Sequence, residues 1–202
     1  MSNWPVDLAA PLIGPFEAAF DRAGKIGRAL ESLGPVGDRD CVVVDATDGP
    51  VRRSMVALGA RIVDAPMASP FALPVADASA DCVIGLWSAF RGPVLAEIAE
   101  AERVLRVGGR LLVVHDYGRD DVSRIRGDRP EYGAWTRKNG PFLTGGFRIR
   151  VVHCFWDFAS PEATTAFLTD AFGAAGSTVA ATLKRPRLSY NVAIYHRSKP
   201  AS

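Results

Sequence analysis

Two short apolar runs constrain the fold of this 202-residue chain more than any other feature of its sequence. Residues 41–44 read Cys-Val-Val-Val, and residues 111–114 read Leu-Leu-Val-Val. Uninterrupted runs of this length and composition are typical of strands that are buried on both faces of a parallel sheet. We therefore expect an α/β protein in which helices cover both sides of these strands.

The residues between these two runs alternate between strand and helix patterns. Apolar residues recur at helical spacing over 51–58 and 93–105, whereas 61–63 and 82–87 are short apolar runs. This order predicts parallel strands joined by right-handed crossovers. The predicted fold class is therefore α/β, a Rossmann-like, doubly wound, mostly parallel sheet with helices on both faces.

The C-terminal part of the chain predicts an antiparallel addition to this sheet. A strand is expected near 147–156, and a helix near 161–172 opens at Ser160. Two further strands near 178–184 and 188–196 are close enough in sequence to form a C-terminal antiparallel hairpin.

The chain length suits one domain. We predict a single domain over residues 1–202, divided into N-terminal helices (1–37), a core sheet (38–116), a basic lid or insertion (117–146) and C-terminal strands with a helix (147–202).

Charge, hydropathy and cysteine content argue against several classes of protein. The net charge of +2 and the pI of about 8.5 are low for a nucleic-acid-binding domain, so nucleic acid is an unlikely partner. No apolar run reaches the roughly 18 residues that a membrane helix needs, so we expect no membrane association. The N-terminal residues lack the pattern of a signal peptide. Three widely spaced cysteines offer no zinc-binding pattern and favour a reducing, cytoplasmic location.

Side chains with chemical potential follow the predicted strands at their carboxyl ends. In open α/β sheets, ligands bind at this edge, beside the point where the strand order reverses. The residues at this edge are Asp45 to Gly49, Asp64, Trp87, Ser88, His115 and Asp116. Structural interpretations stand beside the functional ones, because Asp45 could cap the next helix and Asp64 could be a solvated turn residue.

Several stretches resemble class I S-adenosylmethionine-dependent methyltransferases, of the small type related to quinone-biosynthesis methylases. The first strand and its turn stand where the family has a hydrophobic strand, an acidic residue and a glycine-rich loop. Residues 72–83 follow the family pattern of Leu-Pro-Phe, an acidic turn and Phe-Asp-Val. Residues 100–114 are similar to the stretch that usually reads Arg-Val-Leu-Lys-Pro-Gly-Gly. The resemblance covers residues 38–116.

This resemblance implies that 38–116 is a core that binds S-adenosylmethionine, and that the protein transfers a methyl group to a small molecule. Asp64 stands where an acidic residue usually holds the ribose hydroxyls of the cofactor. The cofactor-binding residues that it implies are Asp45, Ala46, Thr47, Gly49, Asp64, Ser69 and Trp87. It assigns no catalytic residue and no metal ligand, and it leaves the methyl acceptor and the oligomeric state open.

The chain departs from the family pattern at three places. Of the loop glycines only Gly49 is present, and Val51 stands where a helix-starting glycine would leave room for the cofactor. Few residues separate Asp64 from Leu73, where the family has a helix and a strand. Ser69 stands where an acidic side chain usually meets the adenine amine. We therefore predict a degenerate cofactor loop, and a catalytically inactive binding or regulatory protein of the same fold is an alternative function.

Two further features have both a functional and a structural interpretation. His115 at the sheet edge could act as a general base, or could be hydrogen-bonded to a neighbouring loop. Residues 117–150 carry eight basic and four acidic side chains with interleaved aromatic residues. This basic segment could form a lid, grip an anionic substrate, or fold against the core. An RNA-modifying methyltransferase is the third function that it leaves open.

Overall fold

The computed structural model describes residues 5–44, 48–68, 71–127 and 130–200. In chain order the elements are α1 (Ala10–Ala19), α2 (Lys25–Leu33), β1 (Asp40–Val44), α3 (Pro50–Ala57), β2 (Arg61–Ala65), β3 (Ala80–Leu86), α4 (Leu95–Val104), β4 (Leu105–Asp116), α5 (Asp121–Arg126), α6 (Pro130–Trp135), α7 (Pro141–Thr144), β5 (Arg148–Asp157), α8 (Pro161–Ala180) and β6 (Arg187–Ser198).

The strands form a single sheet in the order β2-β1-β3-β4-β6-β5. β2, β1, β3 and β4 run parallel to one another, and β6 runs antiparallel to both β4 and β5. The predicted fold class, a doubly wound and mostly parallel sheet with a C-terminal antiparallel pair, is confirmed.

The two faces of the sheet are both covered, which explains the uninterrupted apolar runs. In β1, Cys41 and Val43 face one apolar cluster, whereas Val42 and Val44 face the other. Helices α1, α2, α3 and α8 pack on the first face, and α4 and α7 pack on the second. An apolar residue is therefore required at every position of such a strand.

The connection between β2 and β3 is short and carries no helix. These two strands pair with β1 on opposite sides, so the chain crosses β1 between them. The described residues of this connection, 66–68 and 71–79, contain neither helix nor strand. This is the place where the sequence has too few residues for the helix and strand of the family. β2 is consequently an edge strand, with Val63 43% exposed.

The C-terminal helix extends further than its sequence indicates. The strand predicted near 178–184 is wrong, because α8 continues to Ala180 after a break at Gly173, where φ is +59°. A β-carbon on Gly176 would lie 1.8 Å from the carbonyl oxygen of Leu168, so the second part of the helix packs closely against the first. Tertiary packing here overrides the strand preference of the Thr178-Val179 pair. The antiparallel partner of β6 is β5.

The fourth strand begins earlier than predicted. Gly108 and Gly109 follow the helical pattern over 93–105 and are typical of a helix end, but α4 ends at Val104 and β4 starts at Leu105. Ala80 pairs with Leu105 and Cys82 pairs with Arg110, so the intervening residues of β4 form an irregularity. Gly108 has a φ of +77°, which a glycine adopts without strain. Among the described residues, no helix is long and apolar enough to cross a membrane.

Candidate functional site

The carboxyl ends of the four parallel strands meet at one edge of the sheet. Val44 pairs with Ala65 on one side and with Gly85 on the other, and Leu86 pairs with Val114. This register brings together the segments that the sequence places at the candidate site. Gly49, Asp64 and Trp87 are among the described residues, whereas Asp45, Ala46, Thr47 and Ser69 lie outside them. The roles of those four residues stay predictions.

Asp64 lies near the end of β2, and its carboxylate pairs with the guanidinium of Arg52 in α3. Its Oδ1 accepts a hydrogen bond from Nε of Arg52 at 3.1 Å, and its Oδ2 accepts one from Nη2 at 2.8 Å. The side chains are 24% exposed for Arg52 and 47% for Asp64. Exposed pairs of this kind contribute about 0–1 kcal/mol, so a ligand can displace the arginine at little cost.

The local sequence explains why Arg52 reaches Asp64. Gly49 is the N-cap of α3 in an extended conformation, and Pro50 occupies the first turn, where its missing N–H is not needed. Arg52 therefore lies in the first turn of α3 on the side that faces β2. Val51 is 6% exposed and packs in the apolar cluster beside Met55. The side chain of Val51 thus points into the core, and the expectation that it lies beside the cofactor stays a prediction.

Trp87 follows β3 and directs its indole into the protein. Its Nε1 donates a hydrogen bond to the hydroxyl of Tyr190 at 2.9 Å, and its ring lies edge-on to Phe20. Its backbone N–H donates to the carbonyl oxygen of Val114. The indole of Trp87 therefore lies in the apolar core, and contact of this residue with a cofactor stays a prediction.

A buried polar network that the sequence does not indicate stands behind Trp87. The Tyr190 hydroxyl donates a hydrogen bond to Oδ1 of Asp116, and Nη2 of Arg126 donates to Oδ2 of Asp116 at 2.7 Å. The side chains of Asp116 and Arg126 are each 7% exposed. Burial raises the pKa of Tyr190, which keeps its hydroxyl protonated as the donor in this network. The sequence does not single out Tyr190 as a polar group of the site, because it occupies one of the alternating buried positions of β6 and resembles an ordinary core residue.

His115 is buried beneath the aromatic residues of the basic segment. Its Nε2 lies 3.0 Å from the carbonyl oxygen of Phe90, which assigns the proton to Nε2, and its ring packs on Trp135. Burial lowers the pKa of His115 to about 4. At neutral pH such an imidazole is a weak base, because a general base works best when its pKa is near the operating pH. The geometry favours the structural interpretation of His115.

The described part of the basic segment folds into α5, α6 and α7 and packs against the core. The Asp120 side chain caps α5 by accepting a hydrogen bond from the backbone N–H of Ser123 at 2.7 Å. Phe142 is fully buried and stacks on Tyr195 with ring centroids 4.1 Å apart. These contacts favour the interpretation in which the aromatic residues anchor the segment to the core.

The described residues fit S-adenosylmethionine at its ribose. Asp64 offers two carboxylate oxygens at the sheet edge, beside an N-cap at Gly49 that carries no side chain. Because Gly49 has no side chain, the N-cap residue does not itself accept a hydrogen bond from the backbone N–H groups of the first turn of α3. Among the described residues, no three His, Cys, Asp or Glu side chains gather as a metal site would require.

Comparison with known proteins shows the fold of this chain. No family model matches it, and no curated protein matches it. Among solved structures, it is similar to a candidate type II methyltransferase from Anaeromyxobacter dehalogenans, with 16% identity and a TM-score of 0.55 over 89% of this chain and 97% of that one. It is also similar to the MccD protein, with 14% identity and a TM-score of 0.52 over 85% and 96% of the two chains. The chain has the fold of the class I S-adenosylmethionine-dependent methyltransferases.

Proposed function

We propose that this protein is an S-adenosylmethionine-dependent methyltransferase that acts on a small molecule. The observation that carries the proposal is the position of Asp64. Its carboxylate lies near the end of the strand next to β1, beside the turn into α3, in a chain with the fold of these enzymes. A carboxylate at this edge is suited to accept hydrogen bonds from two neighbouring hydroxyl groups.

The residues of the chain would hold the cofactor rather than react with it. S-adenosylmethionine, when bound, supplies a methyl group that is activated by the positive sulfur. Asp64 would accept hydrogen bonds from the ribose hydroxyls once Arg52 turns toward solvent. The buried rings of Trp87 and Phe20 form an apolar wall that excludes water from this end of the sheet.

Positioning is the main contribution that the described edge residues can make to catalysis. His115 is neutral and donates its proton to a backbone carbonyl, and Asp116 is engaged by Tyr190 and Arg126. Neither group is placed to remove a proton from an acceptor. Holding donor and acceptor in a reactive geometry can by itself account for a large part of a rate enhancement.

A catalytically inactive binding or regulatory protein is the second candidate. The specific observation in its favour is that Arg52 engages both oxygens of Asp64. If this ion pair is permanent, the carboxylate of Asp64 is not available to the ribose hydroxyls, and the protein does not bind the cofactor.

Calorimetric titration with S-adenosylhomocysteine and S-adenosylmethionine tests the proposal. We expect the wild type to bind both, and Asp64→Asn to weaken binding at least tenfold, because charge-assisted hydrogen bonds contribute about 1.5–3 kcal/mol. Arg52→Gln should bind as well as the wild type or better, because it removes the competitor for Asp64.

Arg53→Gln is the matched control. Arg53 is the next residue of α3, but it pairs with Glu17 at 2.7 Å instead of Asp64. This variant should bind like the wild type. Absence of binding by both the wild type and Arg52→Gln supports the inactive alternative, whereas wild-type affinity in Asp64→Asn contradicts the assignment of Asp64.

A further inference from the structure

A cationic surface lies on one face of the sheet, over β5, β6 and the start of β4, on the side that α2 covers. We define it by five side chains, Lys25, Arg28, Arg110, Arg148 and Arg150. They line two cavities, one of about 480 Å³ between α2 and β5 and one of about 390 Å³ beside the start of β5 and the end of β6.

The fold places these charges on one face. Arg148 and Arg150 are two residues apart on β5, so they point to the same side and stand about 7 Å apart. Arg148 pairs with His196 of β6, which in turn pairs with Leu112 of β4. This register brings Arg110, two residues before Leu112, onto the same face. Helix α2, which carries Lys25 and Arg28, packs against β5 on this side.

Little negative charge faces these five cations. None of them forms an ion pair with a carboxylate of the described residues, and no described Asp or Glu lines either cavity. Lys25 Nζ donates to the carbonyl oxygen of His153 at 2.8 Å, and Arg28 Nη1 donates to that of Ala23 at 2.5 Å. Asp21 interacts electrostatically with Lys25 and Arg28, so the positive charge of the surface is balanced only in part.

Several arginines on other surfaces of the described chain are paired with carboxylates. Arg52, Arg53, Arg61, Arg103 and Arg106 are each paired with at least one carboxylate. Because the whole chain has a net charge of only +2, the cationic surface is a local concentration and not a reflection of composition. The positive charge of this surface also acts on His196, whose pKa is lowered first by burial and then by Arg110 and Arg148.

Protection of an exposed sheet edge explains only part of this arrangement. β5 is an edge strand, and charged side chains on such strands prevent pairing with other chains. Arg28 lies on a helix, however, and Arg110 lies on β4, which has a strand on each side. Arg28 and Arg110 therefore do not protect a sheet edge, and they extend the positive charge across this face of the sheet.

We propose that the cationic surface binds a ligand that carries a row of phosphate groups. The planar guanidinium matches phosphate oxygens in pairs, and several arginines at this spacing can each take a separate phosphate. No large exposed apolar side chain lines either cavity, which argues against insertion into a lipid surface. A free oligophosphate and the backbone of a nucleic-acid strand share this chemistry.

The surface is separate from the site of the proposed methyl transfer. The surface lies over β5, β6 and the start of β4, whereas Asp64 lies on β2 at the opposite edge of the sheet. The inference therefore stands whether or not the chain binds S-adenosylmethionine.

Fluorescence anisotropy of the full chain tests the inference. The probes are a labelled twelve-residue oligouridylate and inorganic tripolyphosphate as its competitor, at low and at physiological salt. The variant Arg148→Gln/Arg150→Gln should bind the oligouridylate at least tenfold more weakly. It should also have a shallower salt dependence, because two phosphate contacts are lost.

The matched control is Lys184→Gln/Arg185→Gln, which removes two exposed positive charges elsewhere and reaches the same net charge. It should bind within twofold of the wild type, and thermal unfolding should confirm that both variants are folded. Displacement by micromolar tripolyphosphate identifies an oligophosphate site, whereas tight binding of the oligouridylate that tripolyphosphate displaces poorly identifies a strand site.

Three results would overturn the inference. One is that neither soluble probe binds at low salt. The second is an equal loss of affinity in both double variants, which would show that only net charge matters. The third is binding confined to vesicles that contain an anionic phospholipid, which would assign the surface to a membrane.

Discussion

The buried imidazole of His115 makes the stability of the protein depend on pH in a predictable way. The pKa of His115 is about 4 in the folded protein, while an unfolded histidine has a pKa of about 6.5. Between these values the unfolded chain binds a proton that the folded chain does not. Stability from this group is therefore complete above about pH 6.5 and is lost as the pH falls toward 4.

The magnitude follows from the difference in pKa. A shift of about 2.5 units limits the total loss to about 3 kcal/mol, at 1.36 kcal/mol per unit. Of this, about 2 kcal/mol should be lost between pH 7 and pH 5. Burial is the first cause of the shift, and the hydrogen bond to Phe90 acts in the opposite direction.

Urea unfolding of the wild type and of His115→Gln at pH 7, 6 and 5 measures this effect. The glutamine amide can still donate to the carbonyl oxygen of Phe90, but it does not titrate. The variant should be less stable at pH 7, and the two proteins should converge by about 2 kcal/mol at pH 5. Asp21, Asp120 and Glu97, whose pKa values are raised by burial, are present in both proteins and cancel.

If the stability difference between the wild type and His115→Gln stays constant from pH 7 to pH 5, the argument is refuted. An imidazole resonance of His115 that titrates near pH 6.5 would refute it equally.

Two further substitutions probe packing. Tyr190→Phe should lower the free energy of unfolding by about 1–3 kcal/mol, because Trp87 Nε1 and a carboxylate oxygen of Asp116 lose their shared partner; urea unfolding that matches the wild type would contradict this network. Gly176→Ala should lower it by more than about 2 kcal/mol, because the new β-carbon overlaps the backbone of Leu168. The control Gly133→Ala, with no atom within 4 Å of its β-carbon, should not destabilise.

The parallel half of the sheet can be predicted from the sequence because its strands are buried on both faces. Residues 41–44 and 111–114 allow only apolar side chains, so the strand signal is strong and local. The absence of a helix between Asp64 and Leu73 can also be predicted, because the few residues between them are too short for a helical crossover. The bounds of β4 cannot be predicted in this way. Gly108 and Gly109 resemble a helix end in the sequence, but they lie within an irregular part of the strand.

The contacts that decide the candidate site are much less visible in the sequence. Asp64 is recognisable at the end of a strand, but its pairing with Arg52 depends on how α3 is oriented against β2. The link from Trp87 to Tyr190 joins residues that are 103 positions apart in the sequence. Such pairs follow from tertiary packing, for which a single sequence carries no local signal.

The position of β6 has a consequence for how the protein is made. This strand comes last among the elements, yet it lies between β4 and β5, and His196 pairs with Leu112 on one side and Arg148 on the other. During synthesis, β4 and β5 therefore leave the ribosome with unpaired edges that face a gap in the sheet. The nascent chain must keep those edges from pairing with other chains until residues 187–198 have been synthesised, so the most aggregation-prone stage of folding precedes the synthesis of β6.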